Sequence, residues 1–175
     1  MSFLIESPRL RIRPWKASDR DTITALATDP QVVQYIADGR LWSEEEIDSF
    51  LRREAQVLEL YGSCFGALEL KETGDVIGLA GLQPLGTTGD TEVGWWLFPE
   101  HWKQGYATEA GQAAIEYAFS KLGLRRVVAI THPDNRPSRR VMDRLGMRFV
   151  EATTGHELGL RVAEVSLVLY RLERD

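Results

Sequence analysis

The sequence predicts one mixed α/β domain over residues 1–175, and three observations carry that prediction. Segments with period-two alternation and segments with helical spacing follow one another along the chain, with no linker, repeat or low-complexity tract between them. The three apolar runs between Cys64 and Phe98 are joined by short turn sequences, which makes the middle of the chain an antiparallel meander. The strand–helix–strand step from Thr91 to Thr131 has the length of a parallel crossover. A chain of 175 residues, 43% hydrophobic and 27% charged, suits a single ordinary core.

Arg9 to Arg13 alternates basic and apolar residues, a strand with one wet face that ends at Pro14. Ser18-Asp19-Arg20-Asp21 reads as a helix start with Ser18 as N-cap, and Pro30 stops that helix at Asp29. Ser43 followed by Glu46 is a capping box, and Ile47, Phe50, Leu51 and Leu58 form one apolar stripe running towards Gly62. Strands then cover Cys64 to Lys71, Val76 to Gln83 and Thr91 to Phe98, separated by turns at Glu72–Asp75 and Thr87–Asp90. Ala110, Ala113, Ala114, Tyr117 and Ala118 mark a helix from Gly105 to Leu122, with Gly123 just past its end. A strand at Arg126–Thr131, a helix at Pro137–Leu145 and strands at Met147–Glu151 and Val162–Leu172 complete the domain.

Several function classes are excluded at this level. A net charge of −5 argues against a protein that coats nucleic acid or an anionic membrane. The lone cysteine, Cys64, rules out an intramolecular disulfide and a multi-cysteine metal site. No apolar run reaches the roughly 18–20 residues of a membrane span. Met1 to Glu6 has neither a basic n-region nor a long apolar core, so a cytoplasmic protein without a signal peptide is expected. His101, His132 and His156 share no metal-ligand spacing, so no metal is expected.

The chemistry concentrates between Glu92 and Ala110. There a strand runs into a turn, and Gly105 and Ala107 sit where a helix begins. A helix N-terminus presents unpaired N–H groups and the positive end of the dipole, a site for phosphate oxygens. Gly105 removes the Cβ that would block an approaching anion, and Lys103 adds a cation at the rim. Close packing of the helix on the sheet explains the same small residues.

The string Pro99-Glu100-His101-Trp102-Lys103-Gln104-Gly105-Tyr106-Ala107-Thr108-Glu109-Ala110 resembles motif A of the GNAT superfamily of acyl-CoA-dependent N-acetyltransferases, with Trp102 at the first position where the general pattern has Arg or Gln. In that respect it is similar to the branch of ribosomal-protein N-terminal acetyltransferases. Asn135-Arg136-Pro137-Ser138 through Met147 resembles motif B, and Ser7-Pro8-Arg9-Leu10-Arg11-Ile12-Arg13-Pro14 looks like the opening of the same branch. The resemblance implies a mostly antiparallel sheet of about seven strands, helices on both faces, and Thr91–Phe98 splayed from Arg126–Thr131. It implies acetyl-CoA as co-substrate. The cofactor's amides would meet backbone groups near Leu97 and Phe98. Its pyrophosphate would meet Lys103, Gln104, Gly105, Tyr106, Ala107 and Thr108, with a further hydrogen bond from Asn135. Arg139 and Arg140 are candidates for its 3′-phosphate. The branch also implies a homodimer, and the terminal strand is the expected edge for pairing.

Acetyl transfer needs an uncharged amine, stabilisation of the oxyanion and a proton for the departing thiolate. At pH 7 deprotonation costs a lysine amine more than about 4 kcal/mol and an α-amine about 1 kcal/mol, so a base helps in either case. The resemblance places Glu92 as that base, acting through water, with Glu164 as an alternative and Glu109 as a structural carboxylate. Many family members have a Tyr acid where this chain has Met142, and the branch points to Ser138 as the replacement. A backbone N–H near Phe98 would hold the oxyanion. Cys64 lacks a neighbouring base, so direct transfer is expected. Trp95 and Trp96 point to opposite faces of their strand, and Tyr35, Asp38, Arg40 and Trp42 lie where family members wall the acceptor. The acceptor is a small-molecule amine or a protein N-terminus. Two other readings stay open: a CoA-binding sensor without catalysis, and an antibiotic or polyamine acetyltransferase using the acids Glu44, Glu45, Glu46 and Asp48.

Overall fold

A computed structural model describes residues 3–175, which form eight strands and five α-helices. In chain order these are β1 (Ile5–Glu6), β2 (Leu10–Arg13), α1 (Arg20–Ala27), α2 (Pro30–Val33), α3 (Glu44–Tyr61), β3 (Phe65–Leu70), β4 (Val76–Pro84), β5 (Thr91–Leu97), α4 (Tyr106–Ser120), β6 (Arg126–Thr131), α5 (Arg136–Arg144), β7 (Arg148–Thr154) and β8 (Ser166–Glu173). All strands join one sheet in the order β1-β2-β3-β4-β5-β6-β8-β7, in which only β5–β6 is parallel. This is the mixed, mostly antiparallel sheet expected. The eighth strand is β1, whose two residues pair with Arg11 and Ile12.

Three local expectations are corrected. Ser18 is exposed and caps nothing; Asp19 holds the N-cap position of α1 without a side-chain cap hydrogen bond, its carboxylate accepting the Lys16 N–H at 2.7 Å instead. The last strand starts at Ser166 rather than Val162, so Glu164 lies exposed in a turn and not on a strand. β8 is internal, flanked by β6 and β7, and cannot serve as a pairing edge; the exposed edge is β7, with Phe149 and Val150 facing solvent.

The two sheet faces are covered differently. On one face α4 and α5 pack over a continuous core that runs from Ile5 and Leu10 through Leu68, Ile77 and Val93 to Val127, Ala129 and Tyr170. Small residues Ala110, Gly111, Ala114 and Ala118 bring α4 close to the sheet. On the other face the core is broken in two. Helices α1–α3 cover β3–β5 through Ile23, Leu26, Ile47, Phe50, Phe65 and Leu79. Leu158 packs separately over β6 and β8 with Val128, Leu167 and Leu169. The capping box of α3 forms as expected, with Ser43 Oγ accepting the Glu46 N–H and the Glu46 carboxylate accepting the Ser43 N–H.

One buried ionic cluster ties β2, β3 and α1 together. Arg13 donates to both oxygens of Asp19 at 2.8 and 3.1 Å and to Glu69 at 2.7 Å. Burial alone would raise both carboxyl pKa values, but hydrogen bonds from Arg13 outweigh it and hold Asp19 and Glu69 below the ordinary carboxylate range. Their contribution is therefore present above the unfolded-state pKa and is lost as pH falls through the folded-state values. Asp19→Ala leaves the buried guanidinium half-paired, with an expected loss of about 3 kcal/mol. The measurement is urea denaturation at pH 7, where the midpoint falls and the slope stays unchanged.

Candidate functional site

The break in the core follows from a break in the sheet. β5 pairs with β4 along its whole length, from Thr91↔Pro84 to Leu97↔Gly78, and β6 pairs with β8 from Arg126 to Thr131. Between β5 and β6 a single register pair remains, Glu92↔Val128. Beyond it the two strands part. Phe98 donates its N–H to Ile77 on the β4 side at 3.0 Å, so strand alternation turns the backbone groups of Trp95 and Leu97 towards the gap. The Leu97 carbonyl accepts the Trp102 indole N–H at 2.9 Å. The Phe98 carbonyl accepts from His101, so both backbone groups of Phe98 are engaged within the protein. The groups left facing the gap are the Trp95 N–H and C=O and the Leu97 N–H. Trp102, odd in the motif, is here a staple between β5 and the turn that follows.

An anion cradle lies at the open end. Lys103 and Gly105 both take left-handed backbone angles, φ 60° and 81°. Such geometry is costly for a lysine and ordinary for a glycine. The first backbone bond of α4 runs from the Glu109 N–H to the Gly105 carbonyl at 3.0 Å. The N–H groups of Gly105, Tyr106, Ala107 and Thr108 donate to no acceptor among the described residues. Four unspent donors at a helix N-terminus, opening beside a sheet gap, fit the pyrophosphate of an acyl-CoA and the amides of its extended arm. The Lys103 side chain is exposed at the rim, and Gln104 donates from its own side chain to the Glu100 carbonyl.

Glu92 sits at the closed end. It is buried, and its Oε2 accepts the side-chain N–H of Gln83, its cross-strand partner on β4, at 3.0 Å. Burial pushes its pKa up to about 7; the Gln83 hydrogen bond pulls the other way, and the buried Glu54 of α3 adds to the rise while Arg53 opposes it. Glu54 is itself committed, accepting the Phe65 N–H at 2.8 Å and hydrogen bonds from Arg53. Along β5, Gly94 separates Glu92 from Trp96 on the same face. A Cβ at Gly94 would lie 2.5 Å from the Phe65 ring, so this glycine makes room for an aromatic seated between them.

The remaining expected residues gather where β6 runs into α5. Asn135 is the N-cap of α5: its Oδ1 accepts the Ser138 N–H at 3.3 Å and its Nδ2 donates to Thr131 Oγ1 at 2.9 Å. The Ser138 hydroxyl makes no hydrogen bond within the described residues, one turn ahead of the buried Met142. Arg139 donates from Nε to the Tyr170 hydroxyl and from Nη1 to the Pro133 carbonyl, whereas Arg140 is exposed. Thr131 lies three residues beyond Val128, or about 10 Å up the gap from the Glu92 pair. Glu92 thus lies at the closed end of the gap, and Ser138 lies in the first turn of α5, beyond the end of β6.

On the acceptor side Trp42 packs edge-on against Trp96 and Phe50, and Tyr35 stacks on His132 at 5.6 Å, joining the segment after α2 to the end of β6. No residue pattern pointed to that stack. The nearby acids are mostly neutralised: Arg20 pairs with Glu44 and Asp48, and Arg40 with Asp38 and Glu46. Cys64 is buried, and desolvation pushes its thiol up to about 12. Among the described residues no three His, Cys, Asp or Glu side chains come together as a metal requires, and no helix is long and apolar enough to cross a membrane.

Comparison with known proteins agrees with this geometry. The profile of the acetyltransferase (GNAT) domain matches residues 9–148. The chain is 31% identical over 145 residues to the uncharacterized N-acetyltransferase YnaD of Bacillus subtilis, covering 82% of each chain. It is 32% identical over 158 residues to the FsC-acetyl coenzyme A-N(2)-transacetylase of Aspergillus fumigatus, covering 84% of this chain and 66% of that one. Among solved structures, an acetyltransferase from Agrobacterium tumefaciens superposes with a TM-score of 0.81 at 25% identity, over 98% of this chain and 94% of the other.

Because the Glu92 pKa is raised on folding, the residue favours the folded state most below its unfolded value near 4.5, and that advantage is lost as pH rises towards 7. Glu92→Gln is expected to match the parent protein in stability at pH 4 and to exceed it by up to about 3 kcal/mol at pH 8. Thermal melts at the two pH values read the difference, and equal melts at pH 8 would show that the carboxylate is not desolvated.

Proposed function

The chain belongs to the GNAT acetyltransferase family, and from that premise we propose that it transfers an acetyl group directly from acetyl-CoA to a primary amine. The observation that carries this reading is the placement of two features on one sheet gap: an unspent N–H cradle at the open end and a buried carboxylate with proton affinity near neutrality at the closed end. Acetyl-CoA supplies the activated thioester. The N–H groups of Gly105 to Thr108, with Lys103 beside them and Gln104 shaping the turn, hold the pyrophosphate. Trp95 and Leu97 offer backbone groups to the pantetheine arm, and an N–H of this pair faces the carbonyl oxygen where negative charge develops. Phe98 contributes its half-buried ring rather than its backbone. Asn135 holds the β6–α5 turn and keeps acceptor capacity for the arm.

Glu92 takes the amine proton through water, since the carboxylate is buried. A base with pKa near 7 is about half ionised at neutral pH and well matched to that transfer. The Ser138 hydroxyl, without a hydrogen-bond partner among the described residues, donates to the departing sulfur. An acyl-enzyme on Cys64 is disfavoured because its thiol stays protonated. A polycationic acceptor is disfavoured as well, because Glu44, Glu46 and Asp48 are paired to Arg20 and Arg40, leaving Glu45 alone of the cluster. The acceptor amine, on a protein N-terminus or a small molecule, meets an aromatic wall of Trp42 and Trp96.

The test is calorimetric titration with acetyl-CoA, followed by thiol release over a panel of amines and N-terminal peptides. Micromolar binding with release on one acceptor class supports the enzyme and identifies that class. Binding without release on any amine favours a sensor module, and absence of binding ends the acetyl-CoA reading. With an active amine in hand, kcat/KM rises with pH through an ionisation near 7 in addition to that of the amine. Glu92→Gln removes that ionisation and lowers kcat/KM on the order of a hundredfold. Gln83→Leu moves it upwards, because the hydrogen bond that favours the carboxylate is lost.

A further inference from the structure

One arginine outside the gap reaches into the cradle. Arg9 lies in the short turn between β1 and β2, far from α4 in sequence. Its Nε donates to Glu109 Oε2 at 2.7 Å, its backbone N–H to Glu109 Oε1 at 2.8 Å, and its Nη1 to the Gln104 carbonyl at 3.0 Å. The guanidinium lies over the Tyr106 ring at 4.4 Å. Ser7 donates its hydroxyl to Glu109 Oε1 at 2.7 Å, which fixes the carboxylate from a second side. Burial would raise the Glu109 pKa, but the hydrogen bonds from Ser7 and Arg9 outweigh it and hold the group below the ordinary carboxylate range.

The location of that bond to Gln104 is what matters. The Gln104 carbonyl belongs to the turn between the two left-handed residues, Lys103 and Gly105. Left-handed backbone at a lysine persists only where its surroundings hold it. Across a trans peptide the carbonyl and the next N–H point in opposite directions. Holding the Gln104 carbonyl towards Arg9 therefore turns the Gly105 N–H away from Arg9, to the side of the cradle. At the same time the guanidinium cancels Glu109, a carboxylate in the first turn of α4 that would otherwise repel a phosphate.

We propose that Arg9, anchored by Glu109, is the positioning residue of the anion cradle: it sets the Gln104–Gly105 peptide so that the helix N–H groups converge on the pyrophosphate of coenzyme A. This rests on the acetyl-CoA reading above. Lysine at this position supplies a single point of donation and cannot bridge carboxylate and carbonyl as the planar fork does.

The experiment compares calorimetric affinities of the full chain for coenzyme A and for pantetheine, which lacks the pyrophosphate. Arg9→Met is expected to weaken coenzyme A binding on the order of ten- to hundredfold. Pantetheine affinity is expected to hold, and a cooperative melt checks that the variant folds. Arg9→Lys falls short of full rescue. The double variant Arg9→Met/Glu109→Gln removes the unbalanced carboxylate and still binds coenzyme A weakly, as lost positioning requires. Recovery in the double variant would reduce Arg9 to charge cancellation and overturn the proposal. Parent-level coenzyme A affinity in Arg9→Met would overturn it while leaving the functional reading intact. If the parent chain binds no coenzyme A, the functional reading fails and the proposal with it.

Discussion

The parting of β5 from β6 is the constraint on which the rest of the molecule depends. Each strand is fully committed on its far side, β5 to β4 and β6 to β8, so neither can swing across to close the seam without unzipping a complete antiparallel ladder. Past Glu92↔Val128 the N–H and C=O groups on the facing edges lose their strand partner. Unpaired backbone groups inside a domain are costly unless water or a ligand meets them. A sheet that leaves such groups open in its centre, rather than at its rim, is built to receive an extended polar chain in the place of a strand. The split of the core on the α1–α3 face is the same event seen in the side chains: where the strands part, Leu79 and Val128 fall into separate apolar clusters.

The two ends of the gap work by opposite physics. At the open end, unspent backbone N–H groups gather where we propose the pyrophosphate binds, beside a turn with two left-handed residues whose Gln104 carbonyl accepts from Arg9. At the closed end, burial removes water from a carboxylate and raises its proton affinity, and the single Gln83 hydrogen bond keeps the rise moderate. Each end carries a local cost. Lys103 holds unfavourable backbone angles, and Glu92 is less favourable to folding when ionised than when protonated. The buried Arg13–Asp19–Glu69 cluster and the small-residue packing of α4 lie elsewhere, in parts of the fold with no role in the chemistry proposed.

The sequence carried the architecture where local rules coincide with tertiary ones. Ser43 with Glu46, the Glu72–Asp75 turn, the alanine spacing of α4 and the run of strands from β2 to β8 read correctly because turn chemistry and hydrophobic period act over a few residues. Ser18 failed because the helix starts one residue later, with Asp19 at the N-cap position and its carboxylate held by Arg13, a contact with no local signature. The edge assignment of the last strand failed because strand order in a sheet is not encoded near the strand. At the site, the motif located the cradle, but it could not show that Phe98 spends both backbone groups on Ile77 and His101. Nor could spacing reveal that Arg9 and Glu109 meet, since about a hundred residues separate them.

A site made largely of backbone groups also fits so close a likeness of fold at 25% identity. The cradle requires a helix start, a left-handed turn and a glycine; it does not require a particular side chain at the head of the motif, and so Trp102 can stand there and serve as a staple to Leu97. Met142 illustrates the complementary case. A family acid at that position would need its hydroxyl in the gap, whereas this methionine is buried among Leu145, Ile115 and the sheet. With the core filled there, the proposed proton donor lies one turn back along α5, at Ser138, whose hydroxyl makes no hydrogen bond among the described residues. The acceptor wall of Trp42, Trp96 and the Tyr35–His132 stack is built instead from side chains on separate elements, so it can change without disturbing the cradle. On the proposed reading, choice of amine resides in that wall, and cofactor recognition in the backbone across the gap from it.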